Sequence, residues 1–183
     1  MSDAEDNELV RRCLAGDLEA FELLLDRYER PIFTAVLRMV QSHEDAEDTT
    51  QTIFVKVFEN LRSFDPSHKF YSWLYRIAMN ESLNFIARRD RRETATESAT
   101  SGEKLAEAGD HDAAAARRDL YDALARIKTE YRSVIILKHI LGCSYRDIGD
   151  ILRLPEKTVK SRLFTARELL RRALQGESSQ NGR

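Results

Sequence analysis

SYRDIGDILRLPEKTVKSRLFTARELL, residues 144–170, decides the fold. Ile148, Ile151 and Leu152 recur at helical spacing, then Pro155 interrupts, then Val159, Leu163, Ala166 and Leu170 recur again. Two short amphipathic helices separated by a break is the reading. Ser144 followed by Asp147 fits a capping box, with Asp a shorter reach than the usual Glu. Gly149 lies inside the first helix, where it costs about 1 kcal/mol of helix propensity. Close approach by the second helix would account for it. This is a helix-turn-helix pattern, whose second helix enters a DNA major groove. Its outward positions are Lys157, Lys160, Ser161, Phe164 and Thr165, with Arg162, Arg167, Arg171 and Arg172 nearby. Lys and Ser can bond base edges, an aromatic ring can touch a thymine methyl, and Arg can hold phosphates.

Upstream, Leu120, Leu124 and Ile127 mark one further helix. Thr129 is placed to cap another carrying Val134, Ile135, Leu137 and Ile140 and ending at Gly142. Residues 114–176 therefore form one small helical body, and 177–183 are expected to be a disordered tail. Residues 93–113, ETATESATSGEKLAEAGDHDA, lose all periodicity and hold Leu105 as their one large aliphatic side chain. Such a segment cannot bury enough surface to offset its ordering entropy, so it reads as a flexible linker.

Residues 1–92 form a second helical body. Gly16 suits a helix end and Asp17 an N-cap. Phe21, Leu24, Leu25, Tyr28, Ile32, Val36 and Val40 continue one stripe, in which Pro31 marks a kink or a fresh first turn. A helix opening at His43 carries Ile53, Phe54, Val57, Phe58 and Leu61 inward and Asp45, Glu47, Asp48 and Gln51 on a polar face that reads as solvated. FDPSHKFYSWLYRIAMNESLNFIARRDRR, residues 64–92, then combines Phe64, Phe70, Tyr71, Trp73 and Tyr75 in a short space with Arg76, Asn80, Asn84 and a terminal cluster of Arg88, Arg89, Arg91 and Arg92. Aromatic faces, Asn amides and clustered Arg together suit unpaired nucleic acid. A packed helix with a basic end is the other reading of these residues. The fold class is all-α: two small helical domains joined by an acidic linker, the second a helix-turn-helix.

The formal charge is −2, which by itself argues against a free-standing nucleic-acid binder. Asp3, Glu5, Asp6 and Glu8 hold −4 of it and residues 93–112 hold −5, so the rest of the chain is +7. Cys13 and Cys143 lie far apart with no metal-ligand spacing, so neither a disulfide nor a metal site is expected, and no cofactor. No glycine-rich phosphate loop or nucleophile–base motif points to an enzyme. No apolar run reaches membrane-spanning length and the acidic start is unlike a signal peptide, so a cytoplasmic protein is expected.

Four motifs in order resemble the compact, extracytoplasmic-function sigma factors of bacterial RNA polymerase, which keep regions 2 and 4. They are Ala15-Gly16-Asp17 with Ala20-Phe21 and Arg27-Tyr28; Asp45-Ala46-Glu47-Asp48 through Gln51, Phe54 and Val57; Phe70 through Asn80; and Thr158-Val159-Lys160-Ser161-Arg162-Leu163 with Ala166-Arg167. The resemblance implies core polymerase, promoter DNA and an anti-sigma protein as partners. It places Asp45, Asp48, Gln51 and Phe54 at the polymerase, against the solvated reading of that face. Phe64, Ser67, His68, Lys69, Phe70 and Asn80 would capture a base flipped from the −10 non-template strand, Arg76 and Asn84 would also contact the −10 DNA, and the terminal arginines, Arg88 and Arg89 among them, would hold backbone. Lys157, Thr158, Lys160, Ser161, Arg162, Phe164, Thr165 and Arg167 would read the −35 duplex. Within the packed helix, Trp73, Leu74, Ile77 and Leu83 would then be core. Arg153 and Lys157 stand where members of that family often carry Gly, which implies either a left-handed conformation at Arg153 or a different turn. An ordinary helix-turn-helix regulator is the rival, but it gives no role to the aromatic segment or the long acidic linker.

Overall fold

The computed structural model describes residues 3–95 and 111–175, with side chains omitted for 93–95 and 111–117. Within those residues the chain is helical throughout: α1 (Asp3–Leu14), α2 (Leu18–Val40), α3 (His43–Asn60), a 3-10 turn (Leu61–Ser63), α4 (Phe70–Ala95), α5 (His111–Ala125), α6 (Thr129–Ile135), a π-helical turn (Ile136–Ile140), α7 (Tyr145–Leu152) and α8 (Glu156–Leu174). Most of the expected linker, and the tail from 176 on, lie outside the described residues. The helices reach further into the expected linker than the sequence pattern allows, since α4 runs to Ala95 and α5 starts at His111.

Local chemistry sets most boundaries. Asp17 caps α2 by accepting from the Ala20 N–H, and Gly16 takes φ +96° between α1 and α2. Ser42 caps α3 by accepting from the Asp45 N–H. Pro31 is absorbed inside the continuous α2. Thr129 does not cap α6: Lys128 holds that position without a side-chain bond, and Thr129 is the first helical residue. The π turn after α6 has no counterpart in the sequence pattern.

In the first body α2, α3 and α4 pack around Leu24, Tyr28, Ile32, Ile53, Val57, Leu74 and Met79. α1 is fixed to this core by Asp6, which is 1% exposed and accepts from the Arg27 guanidinium and the Tyr28 hydroxyl. In the second body α5 to α8 pack around Leu124, Val134, Leu137, Ile148, Ile151, Val159 and Leu163.

The two bodies also touch. α4 lies against α7, and α2 against α5, α6 and the π turn. Arg132, 7% exposed, donates across this boundary to the Met39 carbonyl at 2.7 Å and within its own body to the carbonyls of Ala125 and Ile127.

Candidate nucleic-acid and polymerase interfaces

The helix-turn-helix is built by three local devices. Ser144 Oγ accepts from the Asp147 N–H at 3.1 Å while Asp147 Oδ2 accepts from the Ser144 N–H at 2.9 Å, completing the capping box. Burial opposes the Asp147 charge, but the bonds from Ser144 and Lys69 outweigh it and hold this carboxyl below its usual range. Arg153 ends α7 in the left-handed region at φ 55°, the conformation expected for it from the resemblance. Gly149 answers to the turn itself rather than to the body of α8. A Cβ there would lie 2.8 Å from the Leu154 carbonyl oxygen, and the Leu154 N–H donates back to the Gly149 carbonyl at 2.9 Å.

These devices aim α8. Val159, Leu163 and Ala166 point inward, whereas Lys157, Lys160, Ser161, Phe164, Thr165 and Arg167 are exposed. Phe164 is 71% exposed, the most exposed large apolar side chain among the described residues. Thr158 and Arg162 sit on the flank, half-buried, and Arg162 is 3.6 Å from Glu130. Lys160 is not idle: it bonds Glu156 one turn back at 2.7 Å and lies 5.6 Å from the Tyr145 ring centre. Arg167 lies 3.5 Å from His139.

The other recognition segment differs from expectation. Phe64 and Phe70 are 6% and 1% exposed, closed into an edge-on cluster 5.4 Å apart that includes Trp73. Both are core residues, while Trp73, Ile77 and Leu83, expected inside, pack against the core from its half-buried edge. The reason is the turn at Asp65-Pro66-Ser67: Asp65 accepts from the Ser67 N–H, and the loop folds its two flanking rings back onto Tyr28 and Trp73. Exposed positions are Ser67, His68, Lys69, Asn80, Asn84 and Arg88. Ser67 Oγ meets His68 Nδ1 at 3.0 Å, and Asn80 and Asn84 stand one turn apart on α4. Arg76 is half-buried, and its Nε has no hydrogen-bond partner among the described residues. Arg89 donates to the Val40 carbonyl at 2.7 Å, a packing contact at the end of α2.

On α3, Glu44, Asp48, Gln51, Val55 and Phe58 share one exposed stripe, acidic at one end and apolar at the other. Asp45 and Phe54 sit on its half-buried edge. Phe58, read as inward from the sequence, is 51% exposed and packs edge-on against Phe21. Val55 and Phe58 were missed as surface residues, although their spacing from Asp48 and Gln51 places them on the same side.

Two compact bodies, one carrying this α3 stripe and the other an outward-reading helix-turn-helix, match known proteins in the same order. Residues 24–92 match Sigma-70 region 2, and residues 117–170 match Sigma-70, region 4. The chain is 32% identical to the RNA polymerase sigma-H factor of Pseudomonas aeruginosa over 96% of both chains. It is 34% identical to the ECF RNA polymerase sigma-E factor of Escherichia coli K12, over 90% of this chain and 92% of that one. The chain belongs to the extracytoplasmic-function sigma factors. Solved relatives agree in fold. The sigma factor RpoE from Bartonella quintana, in complex with the anti-sigma factor NepR, superposes with a TM-score of 0.73 at 25% identity, over 86% of this chain and 98% of that one. CnrH in complex with the cytosolic domain of CnrY gives 0.70 at 27% identity, over 95% and 99%.

As a sigma factor the chain is a transcription initiation factor of RNA polymerase. No helix among the described residues is long and apolar enough to cross a membrane.

Proposed function

We propose that the α3 stripe docks on core polymerase, that the Ser67–Lys69 loop with Asn80 and Asn84 engages the melted −10 strand, and that α8 reads the −35 duplex. The observation that carries this is the α8 surface: a helix whose packing is complete on one side still presents Lys157, Lys160, Ser161 and a largely exposed Phe164 on the other. An apolar ring is left in water at a cost unless a partner covers it. A thymine methyl is such a partner, and the flanking Lys and Ser supply base and phosphate contacts.

On this reading the factor performs no covalent chemistry. It stabilises a melted state by binding an extruded base, since unpairing and unstacking cost a few kcal/mol. Base capture falls to the exposed polar loop and Asn80, because Phe64 and Phe70 are committed to the core. The site of action is cytoplasmic. The solved relatives in complex with anti-sigma factors support an anti-sigma protein as a further partner.

Run-off transcription from a promoter library, with core polymerase and this chain, tests the whole reading by returning a bipartite promoter motif. Asn80→Ala should lower permanganate reactivity at the start site while polymerase binding persists. Unchanged reactivity removes Asn80 from strand capture. Lys160→Ala should weaken promoters that use a −35 element more than those that do not; an equal effect on both classes would make Lys160 a general phosphate contact.

A further inference from the structure

The loop between the 3-10 turn and α4 is held at both ends and, from outside, at its tip. Phe64 and Phe70, which flank it, are buried. Between them the His68 N–H donates to the Asp65 carbonyl at 3.0 Å, closing a turn with Pro66 and Ser67 at its centre. The peptide unit joining those two residues is the least constrained part of such a turn, because the closing bond uses neither of its groups. Here both are engaged. Its N–H, from Ser67, donates to Asp65 Oδ1 at 2.9 Å. Bonds from Ser67, that one foremost, hold the Asp65 carboxyl below its usual range. The carbonyl of the same unit, from Pro66, accepts from Asn7 Nδ2 at 3.3 Å. The first bond is local to the loop, whereas the second comes from α1, 59 residues earlier. Asn7 is a fixed point because α1 is anchored on either side of it. Asp6 accepts from Arg27 and Tyr28, and Leu9 and Val10 are buried. The amide makes no second bond: Asn7 Oδ1 is buried with no hydrogen-bond partner among the described residues.

We propose that Asn7 is a positioning residue for −10 recognition: from α1 it fixes the tilt of the Pro66–Ser67 peptide, so that Ser67 and His68 meet the extruded base in one orientation. The inference rests on the reading of this loop as part of the −10 reader. Ser67 Oγ lies 3.0 Å from His68 Nδ1, so the two side chains follow that peptide as a unit. A hydrogen bond to a base edge depends on direction as well as distance. A tip that rocks therefore loses selectivity before it loses affinity. Asn7 itself contacts no base.

Two measurements on the full chain provide the test. In nitrogen-15 relaxation of the free factor, the Ser67 amide should have an order parameter near about 0.85, the value of rigid backbone, and Asn7→Ala should lower it to about 0.6 or below. Asn7→Asp keeps the shape but turns the donor into a second acceptor facing the carbonyl, and should do the same. Both variants should melt within a few degrees of the wild type, since Ala is the better helix former and Asp suits the N-terminal part of α1. In holoenzyme on the promoter library, each should flatten base preference at one −10 position roughly three- to tenfold, the size of one modest hydrogen bond, and leave the −35 preference unchanged. An unchanged Ser67 order parameter in the folded variants overturns the clamp. A mobile tip with wild-type −10 preference overturns the positioning role, and so does an equal loss at −10 and −35, which would mark a general defect of α1. A wild type that itself returns no −10 preference overturns the reading of the loop and the inference with it, an outcome visible before any variant is made.

Discussion

At the scale of single residues, Gly149 and Arg153 set the angle of the helix-turn-helix by opposite means. A Cβ at 149 would press 2.8 Å from a backbone oxygen that cannot swing away. Gly149→Ala should therefore lower stability by about 1–3 kcal/mol despite the better helix propensity of Ala, because overpacking against backbone outweighs it. Arg153→Gly should act the other way and raise the unfolding midpoint by up to about 1 kcal/mol of stability, since the left-handed cost falls on any residue with a Cβ. Chemical denaturation of both variants checks the pair. Glu156 offers a third case. It shares Lys160 through a 2.7 Å bond and would stand close to phosphates. Glu156→Gln should tighten duplex binding a few-fold, measured by anisotropy, with fold stability changed by no more than a few tenths of a kcal/mol for the lost first-turn charge. Residue-level readings from sequence succeeded where the cause was local. The caps at Asp17 and Ser144 are written in neighbouring side chains, whereas the left-handed Arg153 was legible only through the resemblance. They failed where the cause was tertiary: the Asp65-Pro66-Ser67 turn is legible beside Phe64, but not that it folds Phe64 onto Trp73.

At the scale of elements, α7 depends on one carboxylate for its N-terminus and for its contact with Lys69. Asp147 has a folded pKa below its unfolded value of about 3.9. It therefore contributes stability that is fully present above the unfolded value and is lost as pH falls through the folded one. Asp147→Asn should flatten that part of the acid denaturation curve while keeping the cap partly formed, because the Asn carbonyl can still accept from the Ser144 N–H. Equal acid slopes in variant and wild type would assign the loss to other groups. The helices were legible as elements because their apolar periods are strong. The π turn was not, because an inserted residue in a helix leaves the composition unchanged and shifts only the phase. The stripe on α3 was half legible: Asp48 and Gln51 stand out as polar, while Val55 and Phe58 look like core until the fold turns them outward.

At the scale of the whole molecule, charge is segregated rather than balanced, and this governs how the factor meets DNA. The acidic start and the acidic stretch after residue 92 repel phosphate, while α8 offers Lys157, Lys160 and Arg167 to it. Two-body organisation was legible from the composition of residues 93–113, but their closure on Arg132 was not, since a buried arginine bonded to carbonyls has no sequence mark. If α8 carries the duplex contact, the free chain should neutralise about three phosphates. Its log affinity against log salt should then fall with a slope of roughly −2.7. Lys157→Ala should bring that slope towards about −1.8, whereas Lys160→Ala should change it less, because Glu156 already offsets part of that charge. Phe164→Ala should leave the slope unaltered and weaken binding about equally at every salt concentration, since a ring that releases no counterion contributes only through contact with bases. A slope that drops on removing Phe164, or that does not respond to Lys157, would mean that duplex is held by some other face of the molecule.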